Sequence, residues 1–164
     1  MSGKALSGKR IKREKIDEIL KKLFLDYDFL SVAEKHDVCG SYRRGKKDSG
    51  DIDIVFIPNN RYKQWFENLV IPKRIGKLSN NILIDDVQID LFEATNESYA
   101  NMVMTWTGSR GFNMMMRGKS IKAGYIYTRY GMYDAKTKEI ITGIETENDI
   151  FNLIGIEYIP PERR

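Results

Sequence analysis

From Asp51 to Pro58 the chain reads Asp-Ile-Asp-Ile-Val-Phe-Ile-Pro. The β-branched and aromatic run Ile52–Ile57, stopped by Pro58-Asn59-Asn60, spells a buried strand. Asp51 and Asp53 are two positions apart, so an extended chain points both side chains to one face, a few ångströms from each other. Two adjacent carboxylates among Ile, Val and Phe are costly unless a cation compensates them. A third, Asp90, lies between Ile89 and Leu91 in a second apolar segment, Val87–Phe92. If the two strands are neighbours, three oxygen donors converge on one point. These are the hard ligands that Mg²⁺ prefers, and three of them hold two ions about 3.5–4 Å apart in phosphoryl-transfer sites. Taken alone, an Asp-x-Asp pair is more often the solvated edge of a strand that binds nothing.

The rest of the chain limits what can surround that strand. Its 164 residues make one domain or two small ones, and 41% apolar content argues against wholesale disorder. No apolar run approaches the roughly 20 residues that span a bilayer, and no signal-peptide core follows the basic start. Cys39 and His36 are each the only residue of their kind. That excludes an intrachain disulfide, a multi-cysteine zinc site and histidine clusters, and leaves a Ser-His-Asp triad conceivable only around His36. The expectation is a soluble, intracellular, mildly basic protein that is not secreted. Net charge is +4, with 13 basic and 8 acidic residues in 1–50, 5 and 8 in 51–100, and 9 and 7 in 101–164. An acidic middle between two basic segments suits metal ligands set between phosphate-facing surfaces, although a solvated mixture of charges reads the same way.

Periodicity places the elements. Ile16, Ile19, Leu20, Leu23 and Phe24 make one helical stripe between Ile11 and Leu25. A short strand is predicted over Asp37–Gly40, a polar loop over Arg43–Gly50 and a helix over Arg61–Val70. Ile82–Ile84 and Val87–Phe92 read as strands joined at Asp85-Asp86. A helix follows Glu97 through Trp106, and Ser109 caps another that runs to Ala123. Tyr125–Tyr133 and Ile140–Gly143 predict a hairpin turning around Ala135–Lys138. The last helix opens on the capping-box-like pair Thr146 and Asp149 and stops at Gly155. Met114-Met115-Met116 reads as core, the tyrosines at 125, 127, 130 and 133 as a half-buried strand, and Cys39 as a small buried hydrophobe.

Upstream of the acidic pair, Gly40-Ser41 ends a strand and opens a helix, offering free backbone N–H groups and a hydroxyl to an anion, with Arg44 placed to add a bidentate phosphate contact. At this point the residues resemble a family. Gly40-Ser41-Tyr42-Arg43-Arg44-Gly45 followed by Ser49-Gly50-Asp51-Ile52-Asp53 resembles the nucleotidyltransferase signature in its family X DNA polymerase form. Arg10-Ile11 with Arg13-Glu14 is similar to the start of the palm of DNA polymerase beta, and Val87–Phe92 to the strand with its third aspartate. Thr107-Gly108-Ser109 with Phe112-Asn113 and Met116-Arg117 is similar to its thumb. Tyr158 with Pro161-Glu162-Arg163 is similar to its tail.

The resemblance implies an α+β fold, with a palm of mixed sheet and helices on one side (10–104) followed by a small α/β thumb (105–164), after a flexible basic start (1–9). It implies a template-dependent DNA polymerase that adds dNMP to a primer 3′-hydroxyl with two Mg²⁺ ions, which Mn²⁺ can replace, filling gaps in DNA repair. Asp51, Asp53 and Asp90 would hold the metals. Arg10, Ser41, Arg44 and Gly50 would take the triphosphate, Gly108 would mark the palm–thumb junction, and Asn113 would reach the nascent base. Arg117, Lys119 and Lys122 would track DNA, as would the basic start (Lys4, Lys9, Arg10, Lys12 and Arg13). The implied partners are dNTP and gapped or primer–template DNA, bound by a monomer that needs no membrane, in cytoplasm or nucleus. Beginning at the palm, the chain resembles the compact two-domain polymerases of some large viruses, so a lyase activity is not expected. Two positions depart from the family: Thr105-Trp106 stands where Tyr-Phe precedes Thr-Gly-Ser, and Phe92 where an arginine is common. The alternatives are a nucleotidyltransferase for RNA or a small molecule, and a catalytically silent DNA-end-binding module.

Overall fold

The computed structural model describes residues 9–164. Lys4 and nearly all of the expected flexible start lie outside the described residues. The first described element is a two-residue strand, β1 (Ile11–Lys12), which pairs antiparallel with β3 (Asp48–Ser49). The helical stripe therefore begins later than its periodicity suggests, at α1 (Arg13–Lys21), and continues as one wider turn over Lys22–Asp26. Pairing of Ile11 with Ser49 is a long-range contact that a local pattern does not encode.

Five strands form the main sheet: β2 (Ala33–Val38), β4 (Ile52–Pro58), β5 (Lys73–Ile75), β6 (Asn80–Ile84) and β7 (Val87–Glu93), in the order β2-β4-β7-β6-β5. β4 and β7 are parallel and the other neighbours antiparallel. The strand predicted at 37–40 lies earlier, at β2, because Gly40 at φ +61° cannot extend a strand and instead opens α2 (Gly40–Arg43). β5 gives no apolar signal, since all three of its residues are exposed on the sheet edge. The Asp85-Asp86 turn is as predicted, with both residues in the left-handed region that two-residue hairpins use.

One sheet face packs on α1 and on α3 (Tyr62–Asn68), through Ile16, Ile19, Leu23, Phe29, Ile54, Phe56 and Leu91. Each fully buried Ile, Leu or Phe there contributes about 1.5–3 kcal/mol of transfer free energy. The other face carries Cys39, Val55, Ile57 and Phe92 against Tyr99, Met102 and Val103 of α4 (Tyr99–Thr107). The opposite side of the same helix gives Ala100 and Met104 to a third core. That core contains Phe112 and Met116 of α5 (Arg110–Lys122), Tyr127 of β8 (Tyr125–Thr128), Met132 of β9 (Gly131–Asp134), and Ile150 and Phe151 of α6 (Glu147–Leu153). Thus α4 is a shared wall between the sheet and the C-terminal layer.

The caps follow the sequence. Ser109 accepts from the Phe112 N–H, and Thr146 with Asp149 makes a full capping box. The hairpin does not. Its tight turn is Arg129-Tyr130, where Thr128 Oγ1 accepts from the N–H groups of Tyr130 and Gly131. The expected Ala135–Lys138 turn forms as well, returning the chain to a single bridge between Tyr133 and Ile140. A tyrosine-rich run long enough for one strand is folded into two because a threonine side chain stabilises a turn inside it.

Candidate active site

The parallel register of β4 and β7 sets Asp53 directly opposite Asp90. Asp51 precedes β4 by one residue and is exposed. One oxygen from each of Asp51, Asp53 and Asp90 lies within 4.8 Å of the other two. Burial, together with the charges of Asp51 and Asp90, pushes the Asp53 carboxyl up to about 8, with Arg44 opposing the shift. Asp90 is also raised, chiefly by burial, and Asp51, although exposed as a residue, is raised by partial desolvation of its carboxyl, with Arg10 opposing. Without a cation, this group of side chains holds a proton at neutral pH. With a hard divalent cation it need not, and three converging carboxylates open to a cleft are the donor set such an ion takes. The residues present therefore fit Mg²⁺.

A stability prediction follows from Asp53. Its folded pKa of about 8 lies above the unfolded carboxylate value of about 3.9, so its contribution to stability is complete below that value and lost as pH rises through the folded one. The metal-free protein should melt at a lower temperature at pH 8.5 than at pH 6, and Mg²⁺ should raise the melting temperature more at the higher pH. Equal Mg²⁺ shifts at the two pH values would contradict this.

Two residues that carried no signal in the sequence hold Asp90 in place. Asn81 faces it across the β6–β7 ladder and donates its amide to Oδ1. Gln88, two residues earlier on the same strand face, donates to both carboxylate oxygens, at 2.9 and 3.2 Å. Polar residues at those positions in a strand ending read as ordinary solvated side chains. Only the register turns them into donors.

The Gly-Ser helix forms the opposite wall. A Cβ on Gly40 would collide with Asp53 Oδ2, so the acidic strand and α2 approach as closely as only glycine allows. Ser41 Oγ donates to Ser49 Oγ at 2.6 Å. Beneath them Cys39 is fully buried and its thiol is pushed up to about 12 by burial, which keeps it out of thiolate chemistry. Arg10 is clamped by Asp48, whose side chain accepts from Nε at 2.7 Å and whose carbonyl accepts from Nη2 at 3.0 Å. Arg10, Ser41, Arg44, Gly50, Asp51 and Asp53, with Trp106, line one open cleft of about 500 Å³.

Arg43 at the end of α2 and Arg44 just after it both reach the junction with the C-terminal layer. Arg44 Nη1 donates to the Thr107 carbonyl at 2.5 Å, and its Nε is buried without a partner among the described residues. Gly108 at φ +64° sits against this guanidinium, where a Cβ would come within 3.3 Å of Nη1. Arg43 donates to Thr107 Oγ1 at 2.9 Å and to both carboxylate oxygens of Glu147, at 3.0 and 2.7 Å. Arg164 completes the group by donating to Glu147 Oε1 at 2.6 Å. Burial pushes the Glu147 carboxyl up, but hydrogen bonds from Arg43 and Arg164 and their charges outweigh it and hold the pKa below the usual range. Nothing in the sequence singled out Glu147 or Arg164, because an ion pair between residues 104 apart has no local signature.

Other expected residues are less concentrated. Asn113 donates to the Thr105 carbonyl at 2.8 Å, and its Oδ1 is buried and unpartnered among the described residues. Thr105 Oγ1 hydrogen-bonds the Tyr127 hydroxyl at 2.6 Å. Trp106 stacks on Phe92 with ring centroids 3.8 Å apart, so the two departures from the family pattern meet each other. Arg117, Lys119 and Lys122 are exposed on α5. At about 100° per residue, Lys119 and Lys122 share a face while Arg117 turns to the far side. A second cleft of about 240 Å³ lies between the four-residue loop Gly76–Ser79 and the hairpin tip Arg129-Tyr130, with Trp106 in its wall.

The site thus sets a carboxylate triad beside a Gly-Ser helix and a cleft lined by arginine and lysine. Residues 10–115 match the family model described as DNA polymerase beta palm, and residues 102–164 the one described as DNA polymerase beta thumb. The chain belongs to the family X polymerases. It is similar to the DNA nucleotidylexotransferase of Ambystoma mexicanum, 35% identical over 79 residues that cover 48% of this chain and 15% of that protein. It is also similar to human DNA-directed DNA/RNA polymerase mu, at 34% identity with 48% and 16% covered. The DNA nucleotidylexotransferase of Eulemur macaco aligns more widely, 33% identical with 76% of this chain and 35% of that protein. The chain thus spans between 15% and 35% of these relatives' lengths. Among the described residues no helix is long and apolar enough to cross a membrane.

Proposed function

We propose that the protein is a DNA-directed DNA polymerase that adds single nucleotides to primer ends in short gaps, with two Mg²⁺ ions held by Asp51, Asp53 and Asp90. The observation that carries this is the register pair Asp53–Asp90 with Asp51 within 4.8 Å, Asp51 and Asp53 lining one cleft together with Gly40 and Ser41. Bound at the triad, divalent ions, Mn²⁺ included, lower the pKa of an attacking hydroxyl and neutralise charge on the leaving oxygen. The chain's own groups do the rest. Asp90, oriented by Asn81 and Gln88, presents its free lone pairs to the primer 3′-hydroxyl. Ser41, the backbone of Gly50, and the guanidinia of Arg10 and Arg44 bind the triphosphate. Asn113 exchanges the Thr105 carbonyl for the edge of the incoming base. Arg117, Lys119 and Lys122 contact the strands on either side of α5. The second cleft supports a template strand, since the short Gly76–Ser79 loop leaves it open beside Arg129 and Tyr130.

The relatives' names divide between a DNA-directed enzyme and exotransferases, so the choice of acceptor is the point to test. Gapped DNA, single-stranded DNA ends, RNA ends and small hydroxyl acceptors should be offered side by side with labelled dNTP and Mg²⁺. Preferred extension of gapped DNA is expected. Preferred transfer to RNA or a small molecule would replace this reading, and binding of gapped DNA without any transfer would favour a silent end-binding module.

A further inference from the structure

Two lysines at the rim of the catalytic cleft have no task in the reaction above. Lys46 and Lys47 line it and are both exposed. Their backbone is pinned: the Lys46 N–H donates to the Ser41 carbonyl at 3.1 Å, and the Lys47 carbonyl accepts from the Arg13 N–H at 2.9 Å. Their ammonium groups make no hydrogen bond or ion pair among the described residues. Some other exposed cations are paired. Arg10 is held by Asp48, and Lys15 and Lys22 both reach Asp85. The loop therefore holds two unneutralised charges at the open mouth of the cleft, beyond the Arg10, Ser41, Arg44 and Gly50 that the proposed reaction gives to the triphosphate.

We propose that Lys46 and Lys47 form a subsite for phosphoryl groups beyond the third, so that nucleoside 5′-tetraphosphates and longer homologues serve as nucleotide donors. This rests on the nucleotidyl-transfer reading of the cleft and names a substrate class for it. Each added phosphoryl group brings further negative charge, which a cation-lined mouth attracts. Lysine suits the end of a flexible chain, because a mobile point charge meets a phosphate in many positions where a guanidinium fork demands one. The rim is exposed, so a longer chain runs out between the two ammonium groups without displacing buried residues, and the lysines cost no desolvation when the site holds only a triphosphate.

The step balances as it does for a triphosphate. The primer 3′-oxygen bonds to the α-phosphorus, the bond from that phosphorus to the α–β bridging oxygen breaks, and the electron pair leaves with that oxygen. The hydroxyl proton passes to the Asp90 carboxylate and on to water. The leaving group is inorganic triphosphate in place of pyrophosphate.

The test compares deoxyadenosine 5′-tetraphosphate with dATP, by calorimetric titration and by single-turnover insertion on gapped DNA, in the unaltered chain and in the Lys46→Ala/Lys47→Ala double variant. The unaltered chain should bind the tetraphosphate about tenfold more tightly, as two exposed charge contacts give, and less so at high salt. The double variant should lose that difference while its dATP affinity and its DNA affinity change by less than about twofold. Equal affinities in the unaltered chain would overturn the proposal. So would a double variant that weakens both nucleotides alike, or one that lowers DNA affinity and its salt slope, which would make the lysines DNA contacts. A persisting affinity difference in a protein that inserts neither nucleotide would sink the polymerase reading and leave the rim subsite standing.

Discussion

Replacing Asp90 by Asn should lower the single-turnover insertion rate by about three orders of magnitude or more, roughly 4 kcal/mol of transition-state stabilisation. DNA affinity should change by less than about twofold, because the exposed cations of α5 are untouched. The Asn side chain keeps the volume and leaves Asn81 and Gln88 a carbonyl acceptor, so the loss would report on charge and metal binding rather than on folding. Asp51→Asn should behave alike. Asp53→Asn carries an internal control. With its carboxyl pushed up to about 8 by burial and by Asp51 and Asp90, Asp53 resembles its own amide at neutral pH in the metal-free protein. That variant should therefore melt no lower than the parent at pH 8 without metal, should gain less from added Mg²⁺, and should be inactive. An Asp90→Asn enzyme with near-normal turnover would contradict the two-metal assignment. A variant that is inactive because it unfolds would be recognised by its melting temperature.

The second large effect is at Glu147. This carboxylate is 10% exposed and accepts from Arg43 on one side and from the fully buried Arg164 on the other. Arg164 itself lies over the rings of Phe112, Phe151 and Tyr158, at 4.8, 5.7 and 5.6 Å. Glu147→Ala leaves two guanidinia buried without a counter-charge, a loss of about 3 kcal/mol or more that should lower the melting temperature by roughly 6–12 °C. Because the folded pKa of Glu147 is held below the unfolded value of about 4.3, its stabilisation is present above that value and lost as pH falls through the folded one. The parent should therefore lose stability faster on acidification than the variant. Insertion should slow too, since Arg43 also fixes Thr107 beside the Arg44 contact. A melting temperature within about 2 °C of the parent would show that the network is not what joins the two layers.

How much of this was legible in the sequence depends on range. Asp51 and Asp53 announce themselves because a two-residue spacing inside an apolar strand is a local fact. The capping residues Ser109 and Thr146 are local in the same sense. Asp90 was legible as a candidate, but its placement opposite Asp53 depends on strand order, which skips from β4 to β7. For that reason Asn81 and Gln88 were invisible until the register was known. The expected turn at Ala135–Lys138 forms, but the tighter one at Arg129-Tyr130 has no signal in the sequence, because Thr128 competes for the backbone inside a run that otherwise reads as one strand. Glu147 stands in the first turn of α6, where any acid is favourable at a helix N-terminus. That it is the counter-ion of two arginines from distant parts of the chain follows only from how α6 docks. Phe92 and Trp106 appeared as separate departures from a family pattern, and their stacking shows them to be one packing solution.

On the proposed reading, the three carboxylates and the Gly-Ser helix carry out template-directed nucleotide addition. Single-turnover insertion of each of the four dNTPs on one-nucleotide-gapped DNA with Mg²⁺ tests it most directly. Extension by one nucleotide that depends on Mg²⁺ is expected, with the complementary dNTP inserted at least about tenfold faster than the other three. Insertion of all four at one rate whatever the template base, or no extension with any of them, would contradict it.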